Sequence, residues 1–319
     1  MGGKHLILHE IERLIDREKY DYSIEKISRM GHAQSLAMEA VRNGADIVCA
    51  IGGDGTVNMI ASELKDSETA LAIIPSGSGN GLARHLHIPL DTERAINLIN
   101  KGEVRRMDYG VVNLIPFFCT CGVGFDAFIS KKFASTRVRG PLAYLEKMLM
   151  NGLAFRPETY DIDVVGEKEE HTVRKAFVIT CANASQYGNN VYIAPHASVF
   201  DGMLNVTIIK PFTALEVPQL AMQLFTGKIE HNSRIETFRC KSLSIHRTKP
   251  GVIHFDGDPV DTTADVEVAV VPGGLKCICP SDEGVTDMAE TIHNEILDQI
   301  NKIKTTWQIQ TMKKRRTNR

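Results

Sequence analysis

The pentapeptide Gly52-Gly53-Asp54-Gly55-Thr56 constrains this chain most, because of what flanks it. Asp46 to Ile51 is a short, nearly all-apolar run, as expected of a strand covered on both faces, and it breaks at Gly52-Gly53. Val57, Ile60, Ala61 and Leu64 then follow helical spacing. The unit repeats: Ala70 to Ile74 reads as another buried strand, and Pro75 opens a second glycine loop, Ser76 to Gly81. Asp91 caps a helix through Ile99, Lys101-Gly102 turns the chain, and Arg105 to Val112 reads as the next strand. Upstream, Ala33 to Val41 is helical and stops at Asn43-Gly44. Alternating strands and helices with short glycine links imply a parallel α/β sheet with both loops at the carboxyl ends of its strands, the edge where such sheets bind ligands.

After about Asn113 the pattern changes. Tyr160 to Val165 alternates, Gly166 to Lys168 turns, and Val173 to Cys181 reads as its hairpin partner. Further strands are expected at Leu204 to Ile209, Ser242 to His246, Val266 to Val271 and Lys276 to Cys279, interrupted by helices near Ala143 to Met150 and Leu215 to Phe225. This reads as a second, mainly antiparallel domain. Residues 1–112 are therefore assigned to an α/β nucleotide-binding domain and 113–280 to a β-rich one; Asp287 to about Gln308 is helical in pattern, and Lys313 to Arg316 make a basic tail.

Composition narrows the function. With 43% hydrophobic and 24% charged residues, the 319-residue chain can bury the cores of two domains. A formal net charge of −2 argues against nucleic acid as a partner. The seven cysteines include Cys119/Cys121 and Cys277/Cys279, whose spacing puts each pair on one face of a strand. With no C-x-x-C pair and no secretory leader, buried reduced thiols and a cytoplasmic location are expected. No apolar run approaches the roughly 20 residues of a membrane-spanning helix, so a lipid would be met transiently at the bilayer surface.

A phosphate site needs converging main-chain N–H groups and a helix whose positive end faces the anion. Gly52, Gly53 and Gly55 supply the first and the helix from Val57 the second, while Asp54 adds a carboxylate and Thr56 a hydroxyl suited to phosphoryl transfer. A plain glycine turn with a capping Asp reads equally well at this loop alone. The second loop, with Gly77, Gly79 and Gly81 around Asn80, lies one unit later at the same edge, which makes two coincident turns the poorer account. Neither loop fits a Walker A pattern or the dinucleotide fingerprint.

GGDGT at Gly52 to Thr56, PSGSGNGLAR at Pro75 to Arg84, GVGFDA at Gly122 to Ala127, IAP with a following DG at Ile193 to Gly202, and FDGDP at Phe255 to Pro259 together resemble, in this order, the diacylglycerol-kinase-type lipid kinases. The resemblance spans most of the chain. It implies an ATP-binding N-terminal domain, a β-sandwich-like lipid-binding domain, a cleft between them and a C-terminal segment, 281–319, that packs back on the first domain. It implies an ATP- and Mg²⁺-dependent kinase acting on a lipid primary hydroxyl, diacylglycerol or a relative of it, and it leaves a homodimer open.

Carried over residue by residue, the resemblance gives a catalytic acidic set of Asp54, Asp108, Asp256 and Asp258. Gly52, Gly53, Gly55, Thr56, Ser76, Gly77, Ser78, Gly79 and Asn80 surround the nucleotide. Asp126 and Arg139 face the substrate, and Asp201 with main-chain oxygens of Ser198 and Met203 holds a structural Mg²⁺. From the residues alone, Asp108 also reads as a solvated strand end, while Asp256, Asp258 and Asp201 also read as turn formers. Two departures stand out: the usual first strand and its Asn-Pro turn are absent from this sequence, and Asp258 stands where the family commonly has Glu, which ranks Asp54 ahead of it as base. GSGN at Gly77 to Asn80 is closer to sphingoid-base kinases. Three alternatives follow: a sphingoid-base kinase, a soluble-substrate kinase of the NAD kinase type, and a non-catalytic lipid binder.

Overall fold

The computed structural model describes residues 2–125, 127, 141–165 and 170–281. The expected C-terminal helix and basic tail lie outside them, as do Asp126 and Arg139.

Strands β1 (Ile47–Gly52) and β2 (Ala70–Pro75) pair in parallel and in full register, from Ile47 beside Ala70 to Gly52 beside Pro75. Every residue of β2 is buried, as its all-apolar sequence requires. Helix α1 (Gly2–Leu14) packs on one face of this pair; α2 (His32–Arg42) and α3 (Asp54–Leu64) pack on the other. After α4 (Gly81–His85), helix α5 (Thr92–Lys101) joins α1, and its expected cap is present: Asp91 Oδ1 accepts the Arg94 N–H at 3.0 Å. Among the described residues β1 pairs only with β2.

Strand β3 (Glu103–Val112) does not extend the parallel sheet from β2. The last strand, β14 (Asp265–Cys279), lies between them, antiparallel to β3 and parallel to β2, with Cys277 beside Leu71. The two runs expected at Val266 to Val271 and Lys276 to Cys279 are thus one strand, bent by a register shift between Val271 and Leu275 at Pro272-Gly273-Gly274. Below the bend β14 completes the parallel sheet; above it β14 pairs with β11 (Ser242–His246), which continues into β6 (Glu158–Val165) and β7 (Glu170–Ala176). The short β4 (Ile115–Phe117) closes on β3. One sheet therefore runs through both halves of the molecule.

A second sheet has the order β10 (Ile235–Cys240), β9 (Leu204–Ile209), β8 (Val178–Ala182), β5 (Thr120–Gly124), β12 (Gly251–Phe255), β13 (Asp258–Thr262). Its inner face, with Cys121, Ile179, Val206 and Ile253, packs on Tyr160, Ile162, Leu243 and Val268 of the first sheet. Its outer face is covered by α6 (Pro141–Gly152) and α7 (Val217–Thr226) through Leu145, Leu149, Leu220 and Phe225. The architecture is α/β with a parallel N-terminal part and an antiparallel sandwich.

The run expected as one strand, Val173 to Cys181, is two strands in different sheets. Ala176 pairs with Glu158 while Val178 pairs with Gly124 and Ile209, and the buried Phe177 makes the crossing. Cys119 and Cys121 do not share a face either: Cys119 precedes β5 and packs with the N-terminal core, Cys121 with the sandwich core. Six of the seven cysteines are buried and all are free.

Candidate active site

Both glycine loops leave the sheet at one point, because Gly52 and Pro75 end paired strands and the Ser76 N–H donates to Gly52 O at 2.8 Å. They then touch backbone to backbone. A Cβ on Gly77 would lie 2.4 Å from the Gly53 Cα, and one on Gly53 would lie 2.9 Å from the Gly77 Cα, so only glycine fits at either position. Asp54, the first residue of α3, reaches across: Oδ2 accepts the Asn80 N–H at 2.8 Å and Oδ1 the Gly81 N–H at 2.6 Å. A Cβ on Gly79 would meet that carboxylate at 2.6 Å. Asn80, at φ 52°, folds back so that Oδ1 accepts from Gly77 N–H at 3.0 Å and Nδ2 donates to Gly77 O at 2.9 Å.

Gly55 and Ser76 to Ser78 remain exposed, and a side chain at Gly55 would meet nothing within 4 Å. Thr56 is half-buried, its Cβ only 2.7 Å from where a Gly52 Cβ would lie. The N-cap of α3 is Gly53, and no side chain caps the first turn. An open helix N-terminus beside an exposed glycine loop is an arrangement able to take an anion such as a phosphate.

Asp256 and Gly257, at φ 49° and 90°, form the two-residue turn between β12 and β13 that positive-φ residues favour. The Asp256 carboxylate accepts three main-chain N–H groups: Oδ2 from Phe118 at 2.8 Å, and Oδ1 from Cys119 at 2.7 Å and Thr120 at 3.0 Å. Burial pushes its pKa up to about 6, against the pull of those donors and of His254. Asp258 follows at the exposed start of β13, its carboxyl also raised by partial burial. The Cys119 thiol is held well above its usual range by burial and then by the charges of Asp256 and Asp54.

The turn at Gln186 to Val191 also meets the second loop, and no motif pointed to it. The Asn189 N–H donates to Gly79 O at 3.3 Å, and Arg84 donates through Nε to Gly79 O at 3.0 Å and through Nη1 to Asn190 Oδ1 at 3.2 Å. Gly188-Asn189-Asn190, a run of residues that tolerate positive φ, is the signal in the sequence that would have found it. His85 is fixed nearby, with Ser185 N–H donating to its Nδ1 at 3.1 Å; burial lowers its pKa to about 4, so the ring is neutral with its proton on Nε2.

Asp108 has a different neighbourhood from the other acids. It is 3% exposed, with Oδ1 accepting the Gly273 N–H at 2.8 Å and Oδ2 the Gly202 N–H at 2.7 Å, which clamps the bend of β14 to the turn before β9. Asp201 is likewise committed: Oδ2 takes the Arg239 guanidinium and Oδ1 the Met203 N–H at 3.1 Å, while Ser198 Oγ accepts from Phe200 N–H at 3.2 Å. Both oxygens of the carboxylate for which the resemblance implies Mg²⁺ thus have protein partners, a guanidinium on one and a main-chain N–H on the other. Among the described residues no three His, Cys, Asp or Glu side chains converge as metal ligands.

The sequence matches the family described as the diacylglycerol kinase catalytic domain over residues 2–112 and the YegS C-terminal NAD kinase beta sandwich-like domain over residues 119–279. It is 27% identical over 258 residues to a diacylglycerol kinase of Mycobacterium tuberculosis, covering 78% of this chain and 81% of that protein. It is 30% identical over 246 residues to an uncharacterised protein of Synechocystis, covering 74% of this chain and 55% of the Synechocystis protein's length. A crystal structure of a diacylglycerol kinase from Bacillus anthracis has the same fold, with a TM-score of 0.68 and 21% identity over 89% of this chain and 94% of that one.

Proposed function

Because this chain belongs to the family that joins a diacylglycerol kinase catalytic domain to a YegS-type sandwich, we propose that it transfers the γ-phosphoryl group of ATP to the primary hydroxyl of a lipid. The observation that carries the reading is the Asp54 clamp, which holds two glycine loops together at the open N-terminus of α3. The exposed backbone at Gly55 and at Ser76 to Ser78 cradles the phosphates, and Asn80 holds the second loop in shape.

The hydroxyl oxygen forms its bond to the γ-phosphorus as the bond to the β-phosphate oxygen breaks; ADP leaves, and the hydroxyl proton passes to a carboxylate. Hydrogen bonding favours Asp258 for that proton over Asp54, the reverse of the order the sequence suggests. Both Asp54 oxygens hold main-chain N–H groups, whereas Asp258 is exposed with a raised pKa, and a base is most effective when its pKa approaches the working pH. Mg²⁺ would arrive on the nucleotide phosphates, with Asp258 as the protein carboxylate able to share it, and would neutralise phosphate charge. The acceptor is a diacylglycerol or a sphingoid base met at a membrane surface; no helix among the described residues is long and apolar enough to cross a membrane.

The test is incubation with labelled ATP, Mg²⁺ and a panel of diacylglycerol, monoacylglycerol, sphingoid bases and NAD, with Asp54→Asn as control. A labelled lipid from the wild type alone supports the reading, and NADP as the product overturns it. Lipid binding with no ATP consumed would instead support a second reading, a lipid binder without turnover.

A further inference from the structure

Gly188, Asn189 and Asn190 have φ values of 104°, 52° and 61°, three consecutive residues in the left-handed region. Non-glycine residues hold such a conformation only where their surroundings dictate it, and such places gather at ligand clamps and switch regions. Here the surroundings are the second glycine loop. A Cβ on Gly188 would lie 3.1 Å from Gly79 Cα, and one on Gly81 would lie 3.4 Å from Gly188 N and 3.5 Å from Gln186 O. Gly79 O accepts from both Arg84 Nε and Asn189 N–H, and Arg84 also holds Asn190 Oδ1. The turn is closed on itself by Val191 N–H to Gly188 O at 3.0 Å and Asn190 N–H to Gln186 Oε1 at 3.2 Å.

Its other end reaches the sandwich. Tyr187 hydrogen-bonds Thr180 Oγ1 at 2.6 Å, and its ring centroid is 6.1 Å from that of His254, which lies in β12 two residues before Asp256. A path therefore runs from Asp256 along the chain to His254, across to Tyr187 and Gly188–Asn190, on to Gly79, and to Asn80, whose N–H is held by Asp54.

We propose that the Gly188–Asn190 turn is a positioning element that sets the second glycine loop from the sandwich side, with Asn190 and Arg84 as its positioning residues, and so couples the acceptor half of the site to the grip on the nucleotide. The proposal rests on the kinase reading above. Asn190 acts through Arg84 and Gly79 rather than on either substrate. Glycine at 190 would keep the positive φ and remove only the amide, so the Asn190→Gly variant separates the latch from the fold.

The experiment measures KM for ATP at saturating lipid, KM for lipid at saturating ATP, and melting temperature for wild type, Asn190→Gly, Arg84→Gln and the double variant. Loss of a hydrogen bond to a charged group raises KM for ATP about tenfold in Asn190→Gly, with KM for lipid changed less than about twofold and melting temperature unchanged. The double variant is expected to be no worse than Arg84→Gln alone, because the two residues act as one. An unchanged KM for ATP in Asn190→Gly, or effects that add, overturns the latch. A wild type that phosphorylates no lipid overturns the kinase reading instead; titration of wild type and Asn190→Gly with a non-hydrolysable ATP analogue then decides the latch by the same tenfold difference.

Discussion

Asp54 and Asp108 each hold two main-chain N–H groups, one on each carboxylate oxygen, in two differently placed regions. Asp108 ties Gly202 to Gly273 at 3% exposure, where β14 bends from the sandwich into the parallel sheet. Asp54 ties Asn80 and Gly81 to the first glycine loop at a half-buried rim, beside exposed backbone at Gly55 and Ser76 to Ser78. The local chemistry is the same, and access to solvent separates the two roles. A sealed clamp can only stabilise; an open one also decides where a ligand's phosphates meet the backbone.

Removing the sealed clamp is the largest change expected. Asp108→Ala takes the acceptor from two part-buried N–H groups, at up to about 1–3 kcal/mol each, a large share of the roughly 5–15 kcal/mol that holds a typical domain together. Urea unfolding should show a loss of about 3 kcal/mol or more, partly restored in Asp108→Asn, which keeps one acceptor oxygen. Full stability with lost turnover would break the comparison and return Asp108 to the catalytic set.

The open clamp should answer the other way. Asp54→Asn keeps one of the two bonds, so stability should fall by only about 1 kcal/mol, while displacement of the second loop costs about 100-fold in kcat/KM for the lipid reaction. Equal losses of stability in Asp54→Asn and Asp108→Asn would mean that exposure does not separate the two.

How far the sequence could be read follows from where the forces act. The glycine loops, the all-apolar β1 and β2 and the Asp91 cap were legible because each is fixed by neighbours in the chain. The crossing at Phe177 was not, because Val173 to Cys181 satisfies a strand pattern throughout and only tertiary packing assigns its two halves to different sheets. β14 read as two strands because Pro272-Gly273-Gly274 looks like a turn, and the Asp108 clamp that holds it as a bend comes from more than 160 positions away in sequence. Within the candidate site the loops and the acidic turn could be named in advance. The Gly188–Asn190 turn and the commitment of Asp108 and Asp201 could not, because each depends on hydrogen bonds between distant segments.

Asp256 is a third clamp, with three N–H donors and intermediate burial, and pH tests it. Its pKa of about 6 lies above the roughly 3.9 of an unfolded Asp, so between these values the native state binds the proton more tightly than the unfolded one. Stability from this group is therefore greatest at the acid end of that window and is lost as pH rises from about 4 to about 6. Asp256→Asn, which tolerates the same left-handed φ, should lack that slope; urea unfolding of both proteins at about pH 4.5 and 6.5 gives the difference. A wild type that gains stability relative to the variant across this window would mean that the three donors outweigh burial, placing Asp256 with ordinary ionised caps.

Asp201 closes the series with the smallest effect. One oxygen holds the Met203 N–H, but the other faces the guanidinium of Arg239, a pair whose side chains are 30% and 51% exposed. Such a pair contributes about 0–1 kcal/mol, so Arg239→Ala should lower stability by no more than that. The informative measurement is the melting temperature with and without millimolar Mg²⁺ in the absence of nucleotide. While the guanidinium supplies the positive charge, Mg²⁺ should leave the wild type unchanged, whereas Arg239→Ala frees the carboxylate and should become sensitive to Mg²⁺. A wild type stabilised by Mg²⁺ and insensitive once Asp201→Asn is introduced would show that the cation displaces Arg239, and that solvent access turns even this clamp into a ligand site.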